Sequence, residues 1–330
     1  MRYLITGGSG YIGSRLVELL AAREDTERIV ILDLKPPAVP WPKSTYVEMD
    51  IRDRRMHALL QAEEPDALVH LAFVLNPIHD EYAMYDIDVN GTQNVLDAAA
   101  GAGVGHLLVA SSTTAYGAWP DNPVPLREED PVRGMPRYEY ARDKTEIDRM
   151  CQLWAARHPE RAMTIVRPCI VFGPNVENFI IHFWERAPFI PLIDGIDAEL
   201  QYVHEEDVVE ALSRLLLGRV EGIFNLTGDG TIRLSEGAAL AGLKTRRVSY
   251  GPYRRLVSAL WRLKVPRIEA PAGQLDFVRF PWLASNERLK AALDWQPRYS
   301  SREAFEQALA AKGKLARPEG APREPQPTPA

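Results

Sequence analysis

Short apolar runs rich in β-branched residues recur at 3–6, 28–33, 67–71, 106–110 and 163–167. Between them, apolar residues return at helical spacing over 11–23, 53–63, 81–101 and 138–157. A continuous apolar run suits a strand buried on both faces, so this alternation predicts βαβ units around a parallel sheet. Right-handed crossovers then make the fold a doubly wound α/β sheet of the Rossmann type. After about Pro174 the rhythm becomes mixed, with a helix expected at 205–217, a strand at 222–226 and a loop-rich remainder. The expected organisation is a dinucleotide-binding domain over 1–173 and a smaller mixed α/β substrate-binding portion over 174–311, some of whose elements return to the core sheet. A Pro-rich tail at 312–330, with few large apolar residues, cannot offset its ordering entropy and is expected to be disordered.

Composition narrows the function. The chain has 330 residues and a formal charge of −6, with 46% hydrophobic residues. No basic block stands out, which argues against nucleic acid as a partner. Cys151 and Cys169 belong to no CxxC or Cys/His cluster, so no zinc site is indicated and both are expected to be buried thiols. No apolar stretch reaches bilayer length and "MRYLITGG" carries no signal-peptide pattern, so a cytoplasmic protein without stable membrane insertion is expected.

The segment "YLITGGSGYIGSRLVELL" joins a strand, a glycine turn and an amphipathic helix. Gly7, Gly10 and Gly13 permit a tight turn, close backbone approach to a pyrophosphate and tight helix packing, while the amides at Tyr11 and Ile12 begin the helix. Asp33 ends the second strand in "IVILDL", where a carboxylate accepts hydrogen bonds from ribose hydroxyls and repels a 2′-phosphate. NAD, not NADP, is the expected cofactor. In "YEYARDK" (138–144), Tyr140 and Lys144 are one helical turn apart and share a face; Tyr138 falls about 200° away, and Arg142 and Asp143 read as solvated.

With these motifs the chain resembles the extended short-chain dehydrogenase/reductase family of NAD-dependent epimerases and dehydratases, nearest a UDP-glucose 4-epimerase-like subgroup. The carriers are TGGxGxxG at the start, "MDIRD" (49–53), "HLAF" (70–73), "DVNGTQNVLDAA" (88–99), "SSTTAYG" (111–117), "YARDK" (140–144), "RPCIVFGP" (167–174) and "QYVHEEDVVEAL" (201–212). The resemblance implies that Asp50 and Ile51 lie at the adenine, that Leu71 and Ala72 turn beneath the cofactor, with Phe73 replacing a small residue, and that Asn90 and Pro168 are near it. It implies a catalytic set of Ser112, Tyr140 and Lys144. Tyr140 is the base, its pKa depressed by Lys144 and the cofactor's cationic ring; about three units requires roughly 4 kcal/mol. The cycle is oxidation of a substrate hydroxyl by NAD to a keto intermediate, which turns over and is reduced on its other face.

Thr113, Asn178, Gln201 and Arg279 are the expected substrate contacts, with His204 a pocket or helix-start residue. Thr113 and Thr114 stand where dehydratases carry an Asp-Glu pair, which argues against dehydration. Gln201 occupies the place of an arginine that engages diphosphate in sugar-nucleotide epimerases, and Arg279 is the candidate substitute. A nucleotide sugar is thus the expected substrate, and a hydrophobic alcohol or ketone, as in hydroxysteroid dehydrogenase-like relatives, the alternative. "YRRLVSALWRLKVP" (253–266) is a basic amphipathic helix with Leu256, Leu260, Trp261 and Leu263 as its apolar positions, read either as a lid or as a membrane-surface contact. A homodimer through the helices at 81–101 and 138–157 is expected from the resemblance.

Overall fold

The apolar runs do become the buried strands of one parallel sheet. The computed structural model describes residues 1–316. In chain order its first half runs β1 (Arg2–Thr6), α1 (Tyr11–Ala21), β2 (Arg28–Asp33), β3 (Ser44–Glu48), α2 (Arg55–Glu63), β4 (Ala67–His70), α3 (Glu81–Tyr85), a π-helical turn (Asp86–Asn90), α4 (Gly91–Ala102) and β5 (His106–Ala110). A 3₁₀ turn (Thr113–Tyr116), α5 (Glu139–Arg157), β6 (Ala162–Pro168), β7 (Ile170–Phe172), α6 (Phe179–Arg186), β8 (Ile190–Ile193), β9 (Glu199–Leu200), β10 (Tyr202–His204), α7 (Glu205–Leu217) and β11 (Gly222–Leu226) follow. The chain continues through β12 (Ile232–Arg233), α8 (Leu234–Leu240), β13 (Thr245–Val248), α9 (Tyr250–Arg262), a 3₁₀ stretch (Ala272–Val278), α10 (Glu287–Leu293) and α11 (Ser301–Ala311).

The central sheet has the order β11-β6-β5-β4-β1-β2-β3, all parallel. The chain reverses its winding direction between β1 and β4, and the crevice outside their carboxyl ends is where such sheets bind ligands. Helix α1 buries Gly13, Leu16, Val17, Leu20 and Ala21, a stripe at helical spacing, in the same layer as α7. Helices α2, α4 and α5 cover the other face through Leu60, Val95, Ile147 and Cys151. Three small two-stranded sheets and the aromatic cluster of Phe172, Trp184, Tyr202 and Phe305 form the remaining portion.

Two expectations change. Strand β3 is not predicted by the pattern: "STYVE" is an edge strand with no fully buried residue, so no apolar run announces it. The helix expected over 81–101 is interrupted by the π-helical turn at Asp86–Asn90, which changes the direction of its side chains. Both cysteines are free and buried, as expected. Of the tail expected to be disordered, residues 317–330 lie outside the described residues, whereas Ala316 N donates to Leu240 O at 2.7 Å and so ties the preceding stretch to α8.

Buried between β6 and α5 is a bidentate ion pair. Arg167 Nε donates to Asp148 Oδ2 at 2.8 Å and its terminal nitrogen to Oδ1 at 2.7 Å. The other terminal nitrogen donates to the Tyr116 hydroxyl at 2.6 Å, and Ser111 Oγ donates to Asp148 Oδ2 at 2.6 Å. Removing one member leaves the other charge buried without a partner, which costs about 3–5 kcal/mol. Arg167→Met is therefore expected to lower the unfolding free energy by about that amount in urea titration. A loss of about 0.5 kcal/mol or less would show that the pair does not hold the fold.

Candidate active site

The glycine turn sits at the carboxyl end of β1. Gly7 has φ +71, and a Cβ there would lie 2.7 Å from the backbone of Leu71 and Ala72. At Gly13 a Cβ would lie 2.1 Å from Gly7 O, so only glycine lets α1 begin this close to the turn. Gly10 caps α1 in extended conformation, and the first helical bond is Ser14 N to Gly10 O at 2.9 Å. The amides of Tyr11, Ile12 and Gly13 precede that bond and open toward the crevice at the positive end of the helix. Asp33, at the end of β2, accepts from Ser9 N at 3.0 Å and Leu34 N at 2.7 Å, which orients its carboxylate at the rim of the turn. These residues fit a dinucleotide: a donor-rich cradle that any side chain would fill, with an oriented carboxylate beside it.

Other expected cofactor residues fall as follows. Asp50 is held by the Arg52 guanidinium at 2.6 Å, which keeps its carboxyl below the usual range. Ile51 is buried under α4, where Gly91 makes room for it: a Cβ there would lie 2.6 Å from the Ile51 side chain. Leu71 and Ala72 line the turn after β4. Pro168 ends β6, and its carbonyl accepts from Thr113 Oγ1 at 3.3 Å. The Tyr11 phenol donates to the buried Glu205 carboxylate, which also binds Arg15 and Asn175 and so ties the start of α1 to α7. Asn90 corrects the expectation: it is exposed, with its amide on Asp86 Oδ1 at 2.8 Å. Asp88, two residues earlier in the same π-helical turn, is the member of that segment that faces the site.

Tyr140 and Lys144 lie in the first turns of α5, and Lys144 Nζ is 5.9 Å from the Tyr140 ring centre. Ser112, after β5, lies beside the phenol and caps the 3₁₀ turn by accepting from Thr114 N at 3.1 Å. The three expected catalytic residues therefore meet at the carboxyl edge of β5. Lys144 is buried; Nζ donates to Ala110 O at 2.9 Å and rests 3.0 Å from the centre of the Phe73 ring. The aromatic residue at 73 thus covers the ammonium.

The electrostatics differ from the expected pattern. Burial, and secondly the Asp88 charge, push the Tyr140 phenol above its ordinary value, with the Ser112 hydroxyl acting in the opposite sense. Burial also lowers Lys144 to about 7, against the pull of Asp88. The protein's own groups therefore do not depress the Tyr140 pKa. Asp88 is itself pushed up to about 6 by burial, opposed by Lys144 and by the Val74 amide, which donates to its Oδ1 at 2.8 Å. Its Oδ2 is buried with no partner.

Of the neighbours of the pair, Tyr138 packs and Asp143 corrects the expectation. Tyr138 is the N-cap residue of α5 and is buried, edge-on to Phe277 at 5.6 Å. Asp143 is fully buried rather than solvated, with Glu81 of α3 among the charges near it. Its Oδ1 accepts from Arg142 at 3.0 Å, and burial raises its pKa. The expected substrate residues are spread out. Asn178 caps α6, Gln201 is spent on both backbone groups of Ala284, and His204 caps α7. Arg279 pairs with Asp194 at 2.7 Å and lies against Tyr250 and Phe280. Two signals for the missed groups stood in the sequence: an acid, Asp88, between apolar Ile87 and Val89, and Asp148 one turn beyond Lys144 on the same helix face.

A doubly wound sheet with this glycine cradle, an oriented carboxylate beside it and a Ser/Tyr/Lys set is the arrangement of a dinucleotide-dependent enzyme. The chain belongs to the NAD-dependent epimerase/dehydratase family, whose model matches residues 3–226, and NAD is the cofactor of that family. An uncharacterised protein of Mycobacterium tuberculosis is 25% identical over 94% of this chain and 84% of its own. The N-acetyl-α-D-glucosaminyl-diphospho-ditrans,octacis-undecaprenol 4-epimerase of Escherichia coli O157:H7 is 32% identical over 54% of this chain and 52% of its own. Among solved structures, the dTDP-glucose 4,6-dehydratase DesIV of Streptomyces venezuelae superposes with a TM-score of 0.74 over 95% of this chain and 97% of its own, at 22% identity, and so shares the fold.

Two outcomes follow from the geometry. Gly13→Ala pushes a methyl group against Gly7 O, and the variant is expected to bind NAD at least tenfold more weakly than the parent, read by calorimetric titration. Asp88→Asn removes the charge that, after burial, pushes the Tyr140 phenol up. The phenolate absorbance step that Tyr140→Phe abolishes is expected to move to lower pH; an unmoved step would show that Tyr140 does not feel Asp88.

Proposed function

We propose that the protein is an NAD-dependent epimerase that inverts a hydroxyl-bearing carbon of a sugar carried on a diphosphate, a nucleotide sugar in the first instance. The observation that carries this reading is the meeting of Ser112, Tyr140 and Lys144 beside the glycine cradle. NAD, when bound, supplies a hydride acceptor that can return what it takes. Tyr140 is placed to take the proton from the substrate hydroxyl and give it back after inversion, while Ser112 orients that oxygen. Lys144 holds positive charge beside the phenol at pH values below about 7.

Inversion is favoured over dehydration by what stands after Ser112. Elimination of water needs a further acid and base, and Thr113 and Thr114 are hydroxyls committed to Pro168 O and Ser112 Oγ, at 3.3 and 2.9 Å. Support for a diphosphate-linked sugar comes from the Escherichia coli relative, whose name carries both a diphosphate and 4-epimerase activity. A second reading, a dehydrogenase of a hydrophobic alcohol, is favoured by one observation: the neutral Gln201 amide is bound to the Ala284 backbone and Arg279 is paired with Asp194, so neither position offers a free cation to a diphosphate.

The two readings separate in one experiment. The purified protein is expected to interconvert a pair of UDP- or dTDP-hexose epimers, with the carbon-bound hydrogen retained and no net NADH formed. Tyr140→Phe is expected to lower kcat by roughly 10²–10⁴. Stoichiometric NADH from a hydrophobic alcohol, with no turnover across a panel of nucleotide sugars, would replace the first reading by the second.

A further inference from the structure

Helix α9 does not lie as its apolar pattern suggests. The residues it turns inward are Val257, which is buried, together with Tyr253 and Trp261. Trp261 stacks on His79 at 3.8 Å, in the loop that follows β4. The 3₁₀ stretch Ala272–Val278 packs under α9 and touches the backbone just before Tyr140: a Cβ at Gly273 would lie 1.7 Å from Arg137 O. The helix therefore sits over the same edge of the sheet as the candidate active site.

A second set of apolar residues lies toward solvent, with Leu260 half-buried among them. Pro252, Leu256, Leu260 and Leu263 form a second stripe, roughly 100° round the helix from the first. Leu256 is 53% exposed and Leu263 76% exposed. Arg255 and Arg262, both exposed, border this stripe, and Lys264 follows it. Along the chain the charge is one-signed: from Lys244 to Arg267 there are eight lysines and arginines and no acidic residue, Glu81 and Glu269 lying on the inner side of α9. With a whole-chain charge of −6, the rest of the molecule carries −14, which is why the total concealed this basic segment. Among the described residues none of these eight cations has a carboxylate partner within 4.0 Å, although most other arginines do.

We propose that the outward face of α9 docks the protein on an anionic lipid surface, with the cleft beside Tyr140 turned toward the bilayer. Exposed leucines beside unpaired cations are the pairing that an interface of acyl chains and acidic headgroups satisfies. A polynucleotide would meet the cations but leave the leucines in water. A second copy docked through the same face would set this basic surface against itself across the two-fold axis. The surface is an interfacial one: no described helix is long and apolar enough to cross a membrane.

Sedimentation of the full-length protein with extruded vesicles tests this. Binding is expected with phosphatidylcholine vesicles containing phosphatidylglycerol, to be weak with phosphatidylcholine alone, and to fall as salt rises. Leu256→Glu/Leu263→Glu is expected to lower the partition coefficient at least tenfold, with circular dichroism and bound NAD unchanged. Arg255→Gln/Arg262→Gln is expected to lower it by roughly tenfold or more. Leu153→Glu, on an exposed position of α5, is expected to leave it unaltered. The proposal is overturned by equal sedimentation with and without anionic vesicles, or by vesicle binding that survives the leucine substitutions. It is overturned equally by retention of duplex DNA without vesicle binding, or by loss of self-association as the sole effect of the variants.

Discussion

Arg167 and Asp148 are both fully buried, and each is tolerable there only because of the other. Arg167 is the sixth residue of β6; Asp148 is one helical turn beyond Lys144 on α5. Their two parallel hydrogen bonds fix the rotation of α5 about its own axis against the sheet. Ser111 joins them from the end of β5, one residue before Ser112. The same cluster that removes a charge from water therefore sets the distance between the serine and the Tyr140–Lys144 face. Tyr116, which in isolation looks like part of a reactive segment, accepts the arginine's third hydrogen bond and reaches Asn225 on β11. It links the outermost strand to the site without entering it.

The acid-rich surroundings of Lys144 give the site its distinctive electrostatics. Asp88, Asp143 and Asp148 all lie near one buried ammonium, and only Asp148 has a full complement of partners. A buried lysine is normally driven toward neutrality, and these carboxylates hold its charge against that tendency. Asp88 also raises the cost of a phenolate at Tyr140. The balance between a cation that assists the base and an anion that opposes it rests on the π-helical turn, because that turn is what brings Asp88 inward. Phe73 adds to this by covering the ammonium with its ring face, an arrangement that excludes water while tolerating charge.

Helix α9 shows how one amphipathic pattern can serve two faces. Tyr253, Val257 and Trp261 repeat at four-residue spacing and hold the helix down. Leu256, Leu260 and Leu263 repeat nearly as well; Leu256 and Leu263 stay in solvent and Leu260 is half-buried. Nothing in the periodicity distinguishes the two stripes, since both satisfy a helical repeat; which one is buried depends on where the loop after β4 and the segment at 272–278 offer a surface. The same contacts place the basic segment at the edge of the sheet where the cofactor turn and Tyr140 lie.

Much of the fold was legible along the chain because a parallel sheet writes itself as apolar runs and its helices as 3.6-residue stripes. The glycine turn was legible for a similar reason: a backbone that must approach another backbone within van der Waals contact admits no side chain, so the constraint appears as residue identity. Tyr140 and Lys144 could be paired by spacing alone. Edge strand β3 could not be seen, having no buried run, and neither could the break at Asp86–Asn90, since a single inserted residue leaves the apolar pattern nearly intact. Burial of Asp143 and Tyr138, the engagement of Gln201 and Arg279, and the inward turn of Asp88 were decided by tertiary structure. Charge on a carboxylate or a guanidinium predicts water only until a partner segment, distant in sequence, arrives to replace it.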